Sequence, residues 1–292
     1  MRPPAPSPDA VKGLSGFLSL LKDEDFRAIV ICGRPNSGKS EIVSGFSRAN
    51  AAVRGKSQIK GRKSQQETLL TVGGTEHGTV WYEIPNTDRD LVFLDPSGEF
   101  FRRLSPDEQA RLGVDITEAH FDFVRDAMKF TSGILLVVDV SEPDNTDIPE
   151  APWRYQERML SFTLAALRWL RFDKKAVLPA LGVVDNIAAR VRKVRRLDVP
   201  VLVLLSKVDR VPNYTNESPL DFSRKWLPQL HASLLTHTRI FHIDYCHTMI
   251  GPRDAARAEE RPCGVLLSLE WLMAPPLRLL PRIPSRWLER WK

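Results

Sequence analysis

The sequence predicts an α/β fold with a mostly parallel sheet flanked by helices. Three short runs at 28–32, 133–140 and 199–205, apolar except for Asp139, have the length and composition of strands buried on both faces. Segments with helical spacing of apolar residues separate these runs, and strands that alternate with helices form a parallel sheet. No run approaches the roughly 18 apolar residues that a transmembrane helix needs.

The other elements follow from local patterns along the chain. Residues 1–9 are Pro-rich and expected to be disordered. A polar, basic stretch at 53–76 has no periodicity and is expected to be a mobile loop. Further helices are expected at 10–22, 39–52, 152–171, 176–194, 221–236 and 264–273. Further strands are expected at 79–84, 91–94 and 239–243, the first two joined as in a hairpin.

This pattern divides the chain into a main domain and two extensions. An N-terminal segment at 1–26 precedes the domain at 27–274, and a tail follows at 275–292. The stretch between Asp139 and Pro200 is longer than one helix requires. A helical insertion is therefore expected at about 141–198, in which apolar residues of 152–171 must be buried.

The eight residues GRPNSGKS at 33–40 match the P-loop pattern G-x-x-x-x-G-K-S. Its glycines let backbone N–H groups wrap a phosphate chain without clashes from Cβ atoms. The following helix points its positive end at the same phosphates. Lys39 is expected to neutralise the β- and γ-phosphates, and the Ser40 hydroxyl to ligate Mg²⁺. A Gly-rich surface turn is the alternative, but it does not explain why Lys and Ser occupy these positions.

Two further motifs bear on the nucleotide. Asp95 and Gly98 form a D-x-x-G arrangement after the strand at 91–94, where the carboxylate can hold Mg²⁺ through a water and the glycine N–H can reach a γ-phosphate. A β-turn is the alternative. The motif Ser-Lys-Val-Asp follows the strand at 199–205, and the Asp209 carboxylate can accept both the N1–H and the N2–H₂ of guanine. Adenine cannot make that pair, and the Lys207 stem can cover the base; a helix N-cap is the alternative.

These three motifs resemble those of the TRAFAC-class GTPases, the Ras-like and translation-factor-like P-loop NTPases. The resemblance covers about 27–273 and implies a six-stranded sheet, five core helices and switch loops at 55–78 and 96–120. A narrower similarity links the DPSGE stretch and long insertions to bacterial GTPases of the double-GTPase conflict-system group.

The resemblance also implies roles for individual residues. Nucleotide contacts are implied for Gly33, Asn36, Ser37, Gly38, Lys39, Ser40, Glu41, Lys207, Asp209, Tyr245 and Cys246. Metal contacts are implied for Ser40, Thr75 and Asp95. Catalytic roles are implied for Lys39, Thr75, Gly98 and Glu99. The base-contacting loop at 244–247, which includes Tyr245 and Cys246, is matched by position only.

The sequence departs from the family at several of these positions. Serine replaces asparagine at 206, which weakens a loop-tying hydrogen bond but leaves the base contact. Glu99 stands where Ras-like enzymes place a water-orienting glutamine, and its carboxylate repels the γ-phosphate. Thr75 lies 20 residues before Asp95, close to the family spacing of the switch I threonine, with Thr71 and Thr79 as alternatives. Arg34 could act as an arginine finger in cis, with a solvent-facing role as the alternative.

Composition indicates where the chain acts and with what. The net charge is +6, concentrated in three basic clusters for which a solvated face is the ordinary interpretation. In the tail, Trp287 and Trp291 alternate with arginines, a mixture that fits a protein partner or a peripheral contact with membrane headgroups. A nucleic-acid partner is not expected. The three cysteines lack metal-ligand spacing and indicate reduced thiols in a cytoplasmic protein.

The leading hypothesis is a guanine-nucleotide-binding switch that binds GTP or GDP with Mg²⁺ and hydrolyses GTP slowly. The alternative is a binding module that holds GTP or GDP and barely turns it over, which Glu99 favours. A P-loop ATPase or kinase is a third hypothesis, against which Asp209 argues.

Overall fold

The computed structural model describes residues 26–39, 42–43, 68–72, 75–84, 90–96, 100–101, 104, 118–141, 152–173, 176, 190–208, 217–246 and 271–272 of the 292-residue chain. Within them lie seven strands: β1 (Phe26–Gly33), β2 (Thr68–Val72), β3 (Thr75–Ile84), β4 (Asp90–Asp95), β5 (Thr131–Asp139), β6 (Val201–Ser206) and β7 (Phe241–Cys246). Four helices have both ends described: α1 (Glu118–Phe130), α2 (Arg154–Phe172), α3 (Pro219–Trp226) and α4 (Pro228–His237).

The strands form one sheet in the order β2-β3-β4-β1-β5-β6-β7. The five strands from β4 to β7 in this order are parallel, whereas β3 is antiparallel to β4 and β2 is antiparallel to β3. Strand β1 lies between β4 and β5, so the strand order reverses there. Ligands of open α/β sheets bind beyond the carboxyl ends of the strands at such a point.

Both faces of the sheet are covered, which explains the continuous apolar runs. On β1, Ala28, Val30 and Cys32 belong to a core shared with α1, α2 and α4. Ile29 and Ile31 belong to a second core on the opposite face, with Ile42 and Val43 from the helix after β1. The predicted α/β class with a mostly parallel sheet is therefore confirmed.

Helix α2 packs against both α1 and α4. Its predicted burial is confirmed, because Leu167 and Leu170 are buried, as is Trp153 just before the helix, and Phe162 packs against the same core. Among the described residues, every helix is too short or too polar to cross a lipid bilayer.

Three expectations about the elements need correction. The stretch 53–76 is not all loop, because Thr68–Val72 forms edge strand β2 and β3 begins at Thr75, which gives seven strands instead of six. The single helix expected at 221–236 is two, since α3 ends before Leu227 and Pro228 begins α4. The last strand lies two to three residues later than expected, at Phe241–Cys246.

Several expected elements lie outside the described residues. These are the N-terminal segment, the helix at 10–22, the tail from 275, and most of the helices at 176–194 and 264–273.

Candidate functional site

The P-loop leaves the carboxyl end of β1 through a turn that constrains its residue types. A Cβ on Gly33 would come within 2.7 Å of Ser37 Oγ and 2.8 Å of the Val137 carbonyl oxygen, so only glycine fits there. Gly38 has a φ of 90°, which L side chains rarely adopt. Asn36 has a φ of 62°, a left-handed conformation that costs about 1 kcal/mol and that asparagine tolerates better than most residues.

A helix begins directly behind this turn. Lys39, Ile42 and Val43 are helical, and the Ile42 N–H donates to the Gly38 carbonyl at 2.9 Å. Ile42 and Val43 are buried against the sheet, which fixes the first turn of this helix beside the loop. The helix N-terminus, where partial positive charge accumulates, therefore lies at the P-loop.

The side chain of Lys39 reaches back over the loop that precedes it. Its Nζ donates to the carbonyls of Gly33 and Arg34, each at 3.2 Å. Nζ also lies 4.0 Å from Asp95 Oδ1. These contacts hold a positive charge over the concave side of the P-loop, where an anionic phosphate chain would be attracted.

Asp95 ends β4, the parallel neighbour of β1, and so lies beside the P-loop. Burial raises the pKa of its carboxyl to about 6, an effect that nearby Lys39 opposes. Oδ1 is buried and has no hydrogen-bond partner among the described residues. A buried carboxylate oxygen that lacks a hydrogen-bond donor and lies beside a P-loop is a suitable ligand for Mg²⁺ or for one of its waters.

The segment after β6 is tied to the P-loop by two side chains. Ser206 Oγ donates to the Ser37 carbonyl at 2.8 Å and to the Val138 carbonyl at 3.1 Å. Lys207 Nζ donates to the Asn36 carbonyl at 2.9 Å and to Asp139 Oδ2 at 2.5 Å. The serine at 206 therefore makes a hydrogen bond to the loop, although the sequence argument expected that link to be weak.

Lys207 and Asn36 are the two non-glycine residues with positive φ among those described, at 60° and 62°. The hydrogen bond from Lys207 Nζ to the Asn36 carbonyl joins them directly. Such conformations persist where surrounding contacts over-determine them, and they concentrate at functional sites.

The guanidinium of Arg34 lies at the end of β5. Its Nη2 lies 3.4 Å from Asp139 Oδ2, and its side chain is partly exposed. The role of Arg34 in cis at a γ-phosphate stays a prediction.

The three switch I candidates all lie in the β2–β3 hairpin. Val80 of β3 pairs with Asp95, so Thr79 is one residue away from the position opposite Asp95. Thr75 begins β3 and pairs with Val72; it lies about 16 Å along the extended strand from Val80, the residue opposite Asp95. Thr71 lies opposite Glu76 in β2. In this hairpin Thr79 is therefore the threonine nearest in register to Asp95, and the choice among the three stays open.

The remaining predicted residues divide into two groups. Tyr245 and Cys246 end β7 opposite Leu205 and Ser206, where Cys246 is buried and the Tyr245 hydroxyl donates to the Glu217 carbonyl. The other five lie outside the described residues: Ser40, Glu41, Gly98, Glu99 and Asp209.

From the sequence, Asp139 was identified only as the end of a strand and was not assigned to the site. The structure places its carboxylate between Arg34 and Lys207. An acidic residue at the end of a buried apolar strand was the available signal, because the carboxyl ends of parallel strands share one edge of the sheet.

No protein-family model matches the chain, and a comparison with curated proteins finds no match either. Among solved structures, a mutation variant of SsGBP has a TM-score of 0.43 and 17% identity, covering 93% of this chain and 65% of that chain. SsGBP in complex with GDP has a TM-score of 0.41 and 16% identity, covering 90% and 57%. This chain thus spans less than two thirds of the length of SsGBP.

A third similar structure is an ADP-ribosylation-factor-like GTP-binding protein, the small COPII coat GTPase from Encephalitozoon cuniculi, in complex with GDP. It has a TM-score of 0.39 and 17% identity, covering 91% of this chain and 86% of that chain.

Proposed function

We propose that the chain is a guanine-nucleotide-binding switch that holds GTP or GDP with Mg²⁺ and hydrolyses GTP slowly. The observation that carries the proposal is the convergence of three segments at one end of the sheet. Lys39 lies over the P-loop, Asp95 lies beside it, and Lys207 is bonded to the loop backbone. The predicted phosphate-binding segment and the predicted base-binding segment therefore meet in one place.

Different residues would bind the phosphates, the base and the metal ion. Lys39 and the loop N–H groups would bind the β- and γ-phosphates and stabilise charge that develops there. The Lys207 stem would lie along the base, and Asp209 would accept its N–H groups. Asp95, with Ser40 and one of the threonines, would hold Mg²⁺, which neutralises phosphate charge during transfer. The predicted nucleophile is a water that attacks the γ-phosphorus in line with its bond to the β,γ-bridging oxygen, which leaves with GDP.

Direct binding measurements test this proposal. Titration calorimetry with GDP and with ADP, each with and without Mg²⁺, should show GDP binding and little ADP binding. The reason is that Asp209, the carboxylate proposed to distinguish guanine from adenine, follows Val208 in the chain and so lies close to Lys207. Equal affinities for ADP and GDP would refute the guanine assignment but leave phosphate binding standing.

The slow-turnover part of the proposal concerns Glu99. We expect steady-state phosphate release by the purified chain to stay well below about one per second, since Glu99 replaces the water-orienting glutamine and Arg34 is engaged with Asp139. Glu99→Gln should leave the rate unchanged or raise it, because the neutral amide no longer repels the γ-phosphate.

The same assay separates the second candidate function, a module that holds nucleotide without turnover. That candidate predicts no release above the blank for the wild type or for Glu99→Gln. A fast wild-type rate that Glu99→Ala abolishes would make Glu99 catalytic and contradict the expectation of slow turnover.

We also propose that the tail at 275–292 contacts a protein effector. The support is the sequence pattern of Trp287 and Trp291 among arginines, since aromatic residues and arginine dominate interface energetics. Deleting 276–292 should abolish effector capture while GDP affinity and melting temperature stay unchanged. Liposomes with anionic lipid test the competing membrane contact. A large fall in melting temperature would instead make the tail part of the folded core.

A further inference from the structure

The carboxylate of Asp139 is fully buried at the end of β5, yet both of its oxygens are satisfied. Oδ2 accepts from Lys207 Nζ at 2.5 Å and from Arg34 Nη2 at 3.4 Å. Oδ1 accepts from the backbone N–H of Ser141 at 3.0 Å and from its hydroxyl at 2.7 Å. One carboxylate thus connects a P-loop side chain with the segment that follows β6.

The backbone of Asp139 is fixed as firmly as its side chain. Its N–H donates to Gln156 Oε1 at 3.0 Å, and its carbonyl accepts from Gln156 Nε2 at 2.8 Å. Gln156 is completely buried in the first turn of α2. Because α2 fixes the backbone and Ser141 fixes the side chain, the carboxylate presents Oδ2 in one direction only.

Lys207 depends on that fixed carboxylate for its position. Its ammonium group bridges Asp139 and the Asn36 carbonyl, so it holds the P-loop and the segment after β6 at a set separation. A lysine stem has several rotatable bonds, and without an anionic partner the ammonium would turn to solvent. Burial alone would raise the pKa of Asp139, but the hydrogen bonds from Lys207 and Ser141 outweigh it and lower the pKa, which keeps the partner ionised.

We propose that Asp139 is a positioning residue of the nucleotide site, which holds Lys207 and the P-loop in the geometry that binds the base and the phosphates together. This inference rests on the proposed guanine-nucleotide function. Asp139 would act on the bound nucleotide through the ammonium group of Lys207 and not by direct contact. The bound nucleotide is retained for longer because the two halves of its site are held in place before it arrives.

Asp139→Asn tests the inference, since the amide keeps the size of the side chain and removes its charge. We expect GDP to dissociate about tenfold faster, with the association rate nearly unchanged, because the loss of a preorganised contact acts mainly on dissociation. The measurement is the displacement of a fluorescent GDP analogue by excess GDP in stopped flow, with Mg²⁺ present. The melting temperature of the nucleotide-free chain is recorded in parallel.

A double-mutant cycle separates positioning from a general loss of structure. Lys207→Met retains an apolar stem and lacks the ammonium group. If Asp139 acts through that ammonium, Asp139→Asn should add little to the dissociation rate in the Lys207→Met background. A role limited to stability predicts that the two effects multiply.

Asp198→Asn is the matched control. Asp198 also bridges two cations, Arg171 at 3.0 Å and Arg195 at 3.3 Å, but it lies before β6, at the opposite end of that strand. Its substitution should leave GDP dissociation unchanged even if it lowers the melting temperature.

If Asp139→Asn does not fold, Ser141→Ala tests the inference instead. This substitution removes the hydroxyl that donates to Asp139 Oδ1 and leaves Arg34 and Lys207 unchanged. We expect about a twofold to fivefold faster dissociation for this variant. A wild type that binds GDP while every folded variant retains its dissociation rate would refute the inference alone. A wild type that binds no guanine nucleotide would refute the proposed function and this inference with it.

Discussion

Lys39→Ala should lower the affinity for GDP by about 100-fold, because a charge-assisted contact to phosphate contributes about 3 kcal/mol and each tenfold change in affinity corresponds to about 1.4 kcal/mol. The effect on GTP should be at least as large, since the lysine is predicted to reach both the β- and the γ-phosphate. Titration calorimetry with each nucleotide and Mg²⁺ measures the loss.

The fold should survive this substitution. Lys39 is bonded to the carbonyls of Gly33 and Arg34, but the helix behind it is held by Ile42 and Val43 in the core. Removing the lysine also removes the cation that lowers the pKa of Asp95, so that pKa should rise further and the fold should lose some stability above about pH 6, where the buried carboxyl must ionise.

Lys129→Ala provides the control for loss of a lysine that faces an aspartate. Lys129 lies 2.7 Å from Asp126 on the surface of α1, and an exposed ion pair of this kind contributes at most about 1 kcal/mol. Its loss should leave nucleotide affinity unchanged. If Lys39→Ala folds and binds GDP as tightly as the wild type, the P-loop is not the phosphate site.

The elements that the sequence predicted correctly are those determined by residues close together in the chain. The run at 28–32 is apolar throughout because both faces of β1 are covered, and a motif with fixed spacing follows it. Neither inference requires knowledge of distant residues. The position of β1 between β4 and β5, by contrast, was not predicted and comes from the structure.

Strand β2 was missed although Thr68, Thr71 and Val72 are β-branched residues that favour strands, because the segment was assigned to a longer polar loop. Its five residues are flanked by polar sequence, and the segment becomes a strand by pairing with β3 at the edge of the sheet. The break between α3 and α4 was missed for a different reason. Leu227, Leu230 and Leu234 continue the helical spacing of apolar residues across Pro228, although proline favours the first turn of a new helix.

Asp139 shows why part of the candidate site was beyond sequence reasoning. Its partners Arg34 and Lys207 are 105 and 68 residues away along the chain. The P-loop and the motif at 206–209 could each be found from their own spacing, but the group that joins them belongs to neither. A link of this kind becomes visible only once β1, β5 and β6 are placed side by side.

Asp209→Asn should change which base the chain prefers. The carboxylate is predicted to accept the N1–H and the N2–H₂ of guanine, whereas an amide offers one acceptor and one donor. Xanthine carries a carbonyl in place of the guanine amino group, and the amide donor matches it. A buried polar group left without its partner can cost several kcal/mol, so we expect GDP affinity to fall about 100-fold and xanthosine diphosphate to become the tighter ligand.

Competition between GDP and xanthosine diphosphate for a fluorescent analogue measures this change in one experiment. Asp209 lies outside the described residues, but the residues before it are anchored: Ser206 and Lys207 are bonded to the P-loop and Val208 is buried. The substitution should therefore leave the phosphate side of the site intact, and the total affinity for the preferred diphosphate should be retained. That retention separates an exchange of specificity from simple damage to the site.

Asp122→Asn gives the control for the loss of a carboxylate, since Asp122 is exposed on α1 and paired with Arg125 at 2.7 Å. It should keep the wild-type preference for GDP. If Asp209→Asn also kept that preference, with wild-type affinity, the base would have to be recognised by another group. The segment 244–247, whose described residues end β7 beside Ser206, would be the next to test. If instead Asp209→Asn lost GDP and gained no affinity for xanthosine diphosphate, Asp209 would support the loop without contacting the base.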